Sequence, residues 1–339
     1  MKNTVLVTGG SGYIAVHIIK LLKAGYAVRT TLRNLARAQE VRLTVQMGGA
    51  DTTNLTFVEA DLTQDSHWAQ AAANAHFLIH VASPTPATRP DDGQAMVDMA
   101  VDGTLRVLKA AHEAGIRRVV MTSASGAVIA GHGKSHPQIF TENDWTNLQG
   151  PIDAYQHSKT LSEQAAWAFA EKYDMQLTTV LPVAVMGPVY GQDHSHSNQI
   201  IKNMLTGKMP FLLNMGFDYV DVRDVAELHL LSMTEDAAIG QRFIATSGEN
   251  LTYKQVARIL KDHLDQDAAQ VSEKVMPNFV VKALAPFVKD LKMPATFLGQ
   301  NTATSPDKAK SILNWQPRSA QESILATAES FLKQKIAKD

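Results

Sequence analysis

Apolar positions in the first half of the chain follow two alternating patterns. Short β-branched runs at 4–8, 27–32, 55–59, 76–81 and 119–122 are separated by longer stretches at 13–24 and 97–114, whose apolar spacing is helical. Strands that are apolar almost throughout have no polar face to show water. They argue a parallel sheet with helices on both faces. A segment rich in Gly, His and Asn (125–150) leads to a helix over 154–172 and a strand over 178–182. Beyond it Gly187, Pro188, Gly191, Gly207 and Pro210 break the pattern, which resumes as a strand at 217–222, a helix at 223–233 and a last helix at 320–333. Gly25 and Gly115 each lie between a helix and a strand, where a left-handed residue ends a helix. Asp224 is placed to cap a helix starting near Val225.

The pattern predicts an α/β fold, a Rossmann-type doubly wound parallel sheet with a smaller, interleaved C-terminal substrate lobe. Residues 1–184 form the dinucleotide-binding domain, to which 217–248 and about 301–316 return. Residues 185–216 and 249–300 form the lobe, where Met and Phe of 275–298 pack its core, and 317–339 carry the C-terminal helix.

Composition narrows the function classes. With 45% hydrophobic and 19% charged residues over 339 positions, the chain can bury a sizeable core and should fold throughout. A net charge of −1 provides no basic field for nucleic acid. The absence of Cys removes disulfides, thiolate metal sites and a Cys nucleophile, and fits a reducing cytoplasm. No apolar run reaches the roughly 18 residues of a membrane span, and none reads as a signal peptide. Redox chemistry in such a chain needs a borrowed cofactor.

The first strand runs into Gly9-Gly10-Ser11-Gly12-Tyr13-Ile14-Ala15 and then a helix, the context in which a glycine fingerprint binds a dinucleotide. Gly9 allows the tight turn, Gly12 lets backbone N–H groups approach a pyrophosphate at the helix N-terminus, and Ala15 keeps helix and strand close. The second strand ends in Arg33 rather than the acidic residue that would bond an NAD ribose, with Arg37 one turn on. A cation there suits the 2′-phosphate of NADP(H), while Arg29, four residues earlier, points elsewhere. Asp61-Leu62 and Val81-Ala82-Ser83, after the third and fourth strands, fall where adenine and ribose contacts occur.

Tyr155 is the only tyrosine followed four residues later by lysine, Lys159, and helical spacing sets the two on one face. Reducing a carbonyl requires a proton donor at the developing alkoxide. A nearby ammonium favours phenolate and so brings a phenol's pKa of about 10 toward neutrality. Lys159 could also hold the nicotinamide ribose. A hydroxyl to orient the substrate oxygen is expected in Thr122-Ser123-Ala124-Ser125, which offers three.

Together with His80-Val81-Ala82-Ser83, the run Ser158 to Trp167, Gly187-Pro188 and Tyr219 to Ala226, these motifs resemble the extended short-chain dehydrogenase/reductase superfamily. Within it they are similar to the branch of dihydroflavonol reductases and microbial aldehyde and ketone reductases. The resemblance implies NADPH, reduction of a small carbonyl compound, Tyr155 as acid with Lys159 as its partner, and nicotinamide contacts from backbone near Pro182 to Val185. Several positions depart from the pattern. The family's catalytic serine falls on Ala124, which moves the hydroxyl to Ser123, Ser125 or Thr122, with Ser123 chosen. A helix Asn falls on Ala100, the flavonoid-recognising Asn or Asp falls near Ile129, and the Cys-containing signature of cinnamoyl-CoA reductases is absent. Flavonoid and CoA-thioester substrates are therefore disfavoured.

The pairs His194/His196 and His132/His136 lack matching carboxylates and read as solvated loop residues, so no metal is expected. Two competing functions are a nucleotide-sugar epimerase or dehydratase on the same fold and an NADP-sensing protein without catalysis. Lys202, Lys208 and Arg242 give the first a sparse set of cations, and Arg33 argues against its preference for NAD. The Tyr–Lys pair argues against the second. The helices at 97–114 and 154–172 could form a four-helix interface in a homodimer.

Overall fold

The computed structural model describes residues 2–84, 93–133, 139–191, 195–288 and 302–334, together with 291, 295 and 298. His136 and His194 lie outside the described residues. The nucleotide-binding half is built from β1 (Thr4–Val7), α1 (Tyr13–Leu22), β2 (Ala27–Leu32), α2 (Ala38–Met47), β3 (Leu55–Glu59), α3 (Trp68–Ala72) and β4 (Phe77–His80). It continues through α4 (Gly93–Glu113), β5 (Arg118–Thr122), α5 (Ala154–Lys172) and β6 (Gln176–Pro182). After β7 (Ala184–Met186) and α6 (His196–Leu205) come β8 (Gly216–Asp221), α7 (Val222–Thr234), β9 (Arg242–Ala245), β10 (Asn250–Thr252) and α8 (Tyr253–Leu264). The remaining described helices are α9 (Asn278–Leu284), α10 (Asp307–Leu313) and α11 (Ala320–Lys333).

The large sheet has seven parallel strands in the order β3-β2-β1-β4-β5-β6-β9. Its strand order reverses between β1 and β4, and ligands of open α/β sheets bind outside the carboxyl ends of the strands at that point. Apolar side chains of α1, α2, α7 and α10 cover one face, with Ile18, Val225 and Trp315 inside. Those of α3, α4 and α5 cover the other, around Trp68, Leu108 and Ala166. A second sheet, β10-β8-β7, carries the lobe, and α6, α8 and α11 close over it around Tyr219, Leu260 and Phe331.

Three local expectations change. Of the stretch 217–248 expected to return to the dinucleotide-binding domain, the strand near 217 pairs with β7 and β10 in the small sheet, and the chain re-enters the large sheet at β9. Gly115 is left-handed at φ 79°, but Gly25 does not have positive φ: α1 ends through Lys23 in helical geometry. The cap of α7 is Asp221, whose carboxylate accepts from Arg223 N at 2.8 Å, because the helix begins three residues earlier than the pattern implied. Asp224 sits inside the first turn, fully buried and paired with Arg318. Burial pushes its carboxyl up to about 6 against the pull of that arginine.

One crossing ties the lobe together. Gly187, at φ 118°, leaves no room for a Cβ, which would lie 2.9 Å from Asp221 Oδ1. Thr327 Oγ1 on α11 accepts from Gly187 N at 2.7 Å and lies 3.0 Å from Gly187 O.

Candidate active site

The glycine turn sits at the strand-order reversal. Gly9 is left-handed at φ 72°, and a Cβ there would meet Ala82 Cα at 3.0 Å, so the turns after β1 and β4 touch. Gly10 is the more constrained: a Cβ would fall 2.2 Å from Thr30 Oγ1, which is buried and donates to Val7 O at 2.7 Å. Gly9 N donates to Thr31 Oγ1 at 3.0 Å. Gly12 is the N-cap of α1 without any side-chain cap, so first-turn amides are left for an outside acceptor such as a pyrophosphate. Tyr13 and Ile14 open that turn, while the Tyr13 ring packs edge-on against His17, away from the turn.

Thr8 joins the two turns. Its hydroxyl oxygen accepts from Val81 N at 3.1 Å and Ala82 N at 3.0 Å, so its single hydrogen goes to His80 Nδ1 at 2.8 Å. His80 is therefore the Nε2–H tautomer. Burial, with the Lys159 charge adding, pulls its pKa down to about 3.

At the end of β2, Ser11, Leu32, Arg33, Asn34 and Arg37 line an open depression. Arg33 is exposed, and its charge helps to lower the Asp61 carboxyl, chiefly held down by the Thr63 amide and hydroxyl. Arg37 grips Glu40 through two contacts of 2.9 Å. Arg29 turns under the sheet to the Ala71 carbonyl at 2.9 Å. Leu62 packs against Gly103 of α4, where a Cβ would meet it at 3.0 Å. Ser83 is half-buried just beyond β4. Cradle and cationic depression together fit a dinucleotide carrying an extra phosphate.

Across the crevice, Asp153 and Gln156 form a reciprocal capping box that starts α5. Tyr155 and Lys159 follow on one face. Tyr155 is 46% exposed, Lys159 is buried, and the Lys159 ammonium lies 5.9 Å from the centroid of the Tyr155 ring. Desolvation, with the Asp153 carboxylate adding, pushes Tyr155 up to about 12, while desolvation brings Lys159 down to about 8 against the pull of Glu163.

Glu163 continues the same helical face and is a residue the motif search passed over. Fully buried, it accepts from Ser123 Oγ at 2.7 Å, Thr179 Oγ1 at 2.8 Å, Arg242 Nε at 2.8 Å and Trp167 Nε1 at 3.3 Å. Its signal in the sequence is a carboxylate one turn beyond Lys159. Ser123, expected to face substrate, is 3% exposed and donates into this cluster. Arg242, a candidate for gripping a sugar diphosphate, is the buried counter-ion, stacked on Trp145 at 3.7 Å. Pro182 and Val185 are both buried, at the end of β6 and within the β7–β8 ladder. His132 bonds the Val128 carbonyl at 3.1 Å, and no group of three metal-ligating side chains occurs among the described residues.

A sequence profile of the NAD dependent epimerase/dehydratase family matches residues 5–244. The chain belongs to that family. Among known proteins, this family member is 35% identical to cinnamoyl-CoA reductase 1 of Arabidopsis thaliana over 251 residues, 73% of this chain and 71% of that one. It is 30% identical to an anthocyanidin reductase of Vitis vinifera over 282 residues, 78% and 82% of the two chains. Its fold matches Gre2 of Candida albicans in complex with NADPH, with a TM-score of 0.76 and 25% identity over 98% and 99% of the two chains. No described helix is long and apolar enough to cross a membrane.

Proposed function

We propose that the protein is an NADPH-dependent reductase that converts an aldehyde or ketone into an alcohol. The observation that carries this reading is the Tyr155–Lys159 pair, set on the first turns of α5 beside the crevice of the glycine turn. NADPH, when bound, supplies a hydride to the carbonyl carbon. The phenol of Tyr155, protonated near neutrality as a phenol ordinarily is, delivers its proton to the oxygen as alkoxide charge develops. The Lys159 ammonium stabilises the phenolate left behind and would reach the nicotinamide ribose. Glu163 helps to keep that ammonium charged.

Turn amides between Gly9 and Ile14 would hold the pyrophosphate, and Ser11, Arg33 and Arg37 the 2′-phosphate. Asp61, Leu62 and Val81 to Ser83 would flank adenine and ribose. NADPH in the related Gre2 complex and the reductase names of the other relatives support this cofactor and reaction class. A small, uncharged carbonyl compound fits better than a sugar diphosphate, because Arg242 is committed to Glu163.

The test is NADPH oxidation with aldehydes, α-keto esters and aryl ketones, run in parallel with NADH. Tyr155→Phe is expected to lower kcat by about 10²-fold or more. Arg33→Ala is expected to cut the preference for NADPH about tenfold, the loss of one charge-assisted phosphate contact. Unchanged turnover in Tyr155→Phe, or a wild-type preference for NADH, overturns the reading.

A further inference from the structure

The end of β5 offers three hydroxyls, and two have their single hydrogen spent elsewhere. His229 Nδ1 lies 2.7 Å from Val225 O, which only accepts, so the proton sits on Nδ1 and Nε2 carries the lone pair. Thr122 Oγ1, 2.7 Å from that Nε2, must therefore donate to it, on the α7 side of the sheet. Ser123 Oγ donates to the Glu163 carboxylate, which also only accepts, on the α5 side. Both are buried, and turning either hydroxyl to a substrate would take a short hydrogen bond from a buried acceptor. Ala124 has no hydroxyl.

Ser125 differs on each count. It is half-buried, its hydroxyl has no hydrogen-bond partner among the described residues, and its backbone is pinned. Its carbonyl accepts from Val128 N at 2.9 Å and Ile129 N at 3.0 Å as the chain enters a 3-10 turn, Ser125–Ala127. The next residue, Gly126, lies against the proton donor: a Cβ there would be 3.4 Å from Tyr155 Cε1. We propose that Ser125 supplies the hydroxyl that orients the substrate carbonyl, one residue beyond the position now held by Ala124, and that Ser123 is a structural member of the Glu163 cluster. In the ground state the Ser125 O–H donates to the carbonyl oxygen, and it keeps that bond as the oxygen gains charge and takes the Tyr155 proton.

This inference rests on Tyr155 being the proton donor, so the experiment carries Tyr155→Phe beside three other proteins. Ser125→Ala is expected to lower kcat about 10²-fold, the loss of one oxyanion donor, with the melting temperature and NADPH binding by fluorescence unchanged. Ser123→Ala is expected to lower the melting temperature while kcat stays within about threefold, since the cluster rather than the chemistry loses a donor. The double variant Ala124→Ser/Ser125→Ala is expected to recover at least about tenfold of the lost kcat, because a hydroxyl stands again beside the carbonyl. Full activity in Ser125→Ala with Tyr155→Phe inactive overturns the role of Ser125 alone. Full activity in both overturns the reductase mechanism as well. A larger kcat loss in a folded Ser123→Ala than in Ser125→Ala returns the role to Ser123.

Discussion

At the glycine turn the backbone is the proposed binding surface, and side chains matter by being absent. At the junction of β5 and α5 side chains do the work, and the backbone only aims them. The first half is held by contacts of mostly shorter range, from Gly9 N to Thr31 Oγ1, 22 residues apart, to Thr8 Oγ1 with Ala82 N, 74 apart. The second depends on Glu163 with Arg242, 79 residues apart, and on Thr122 with His229, 107 apart. A turn of the first kind is specified by a few neighbouring residues. A cluster of the second kind exists only once the whole sheet has assembled, and it decides which hydroxyls remain free for chemistry.

Breaking the long-range half should have the largest effect. Glu163→Gln leaves the buried Arg242 guanidinium without its counter-charge, and denaturant unfolding should register a loss of about 3 kcal/mol. Because Glu163 supports the Lys159 ammonium, the limb of kcat that falls above pH of about 8 should also move to lower pH. A stable variant with an unmoved limb would mean that the two turns of α5 act independently.

The short-range half is tested at Gly10. The methyl group of Gly10→Ala would run into the buried Thr30 side chain, and overpacking should cost about 1–3 kcal/mol. NADPH binding should weaken with it, since the turn must shift. Unchanged fluorescence titration and unchanged melting would show that the turn has more room than its geometry indicates.

The smallest effect per group concerns three imidazoles distributed over both halves. Burial pulls His17 and His229 down to about 4 and His80 to about 3. Each pKa lies below its unfolded value of about 6.5, so the stability each contributes is complete above that pH and is lost as pH falls toward the folded value. Each lost proton site adds about 1.4 kcal/mol per pH unit to the slope. Asp224, raised to about 6, works the opposite way over the range from about 4 to 6. Unfolding free energies between pH 7 and 5 should fall, and His229→Gln should flatten the slope by about one proton.

Much of the frame was legible because it is periodic. Strands β2 and β3 and helices α5 and α11 occupy the residues their apolar spacing marked. The strand–turn–helix unit around the glycine turn was legible in the same way. What the pattern could not reveal was partnership. Ser123 and Ser125 are chemically identical in sequence, and only the arrival of Glu163 on a neighbouring helix separates them. Strand β8 reads as a strand as the central ones do, yet it pairs with β7 and β10, since strand composition reports burial and not which neighbour will be found. Asp221 and Asp224 are both plausible caps. The second is fully buried, and its pairing with the partly exposed Arg318 reserves it for another task.

The crossing at Gly187 has a consequence for how the chain acquires its shape. Its hydrogen-bonding partner, Thr327, lies 140 residues downstream, near the end of the described chain. During synthesis the β1–β6 part of the nucleotide-binding half emerges first and can begin to collapse, whereas the lobe must wait with its apolar face open until α11 has left the ribosome. Loop-closure entropy for so long a separation is then met late, by a helix that arrives well after the strands it locks. The order of manufacture thus runs parallel to the proposed order of use: the turn that would seat the cofactor is set before the lobe that would enclose the substrate.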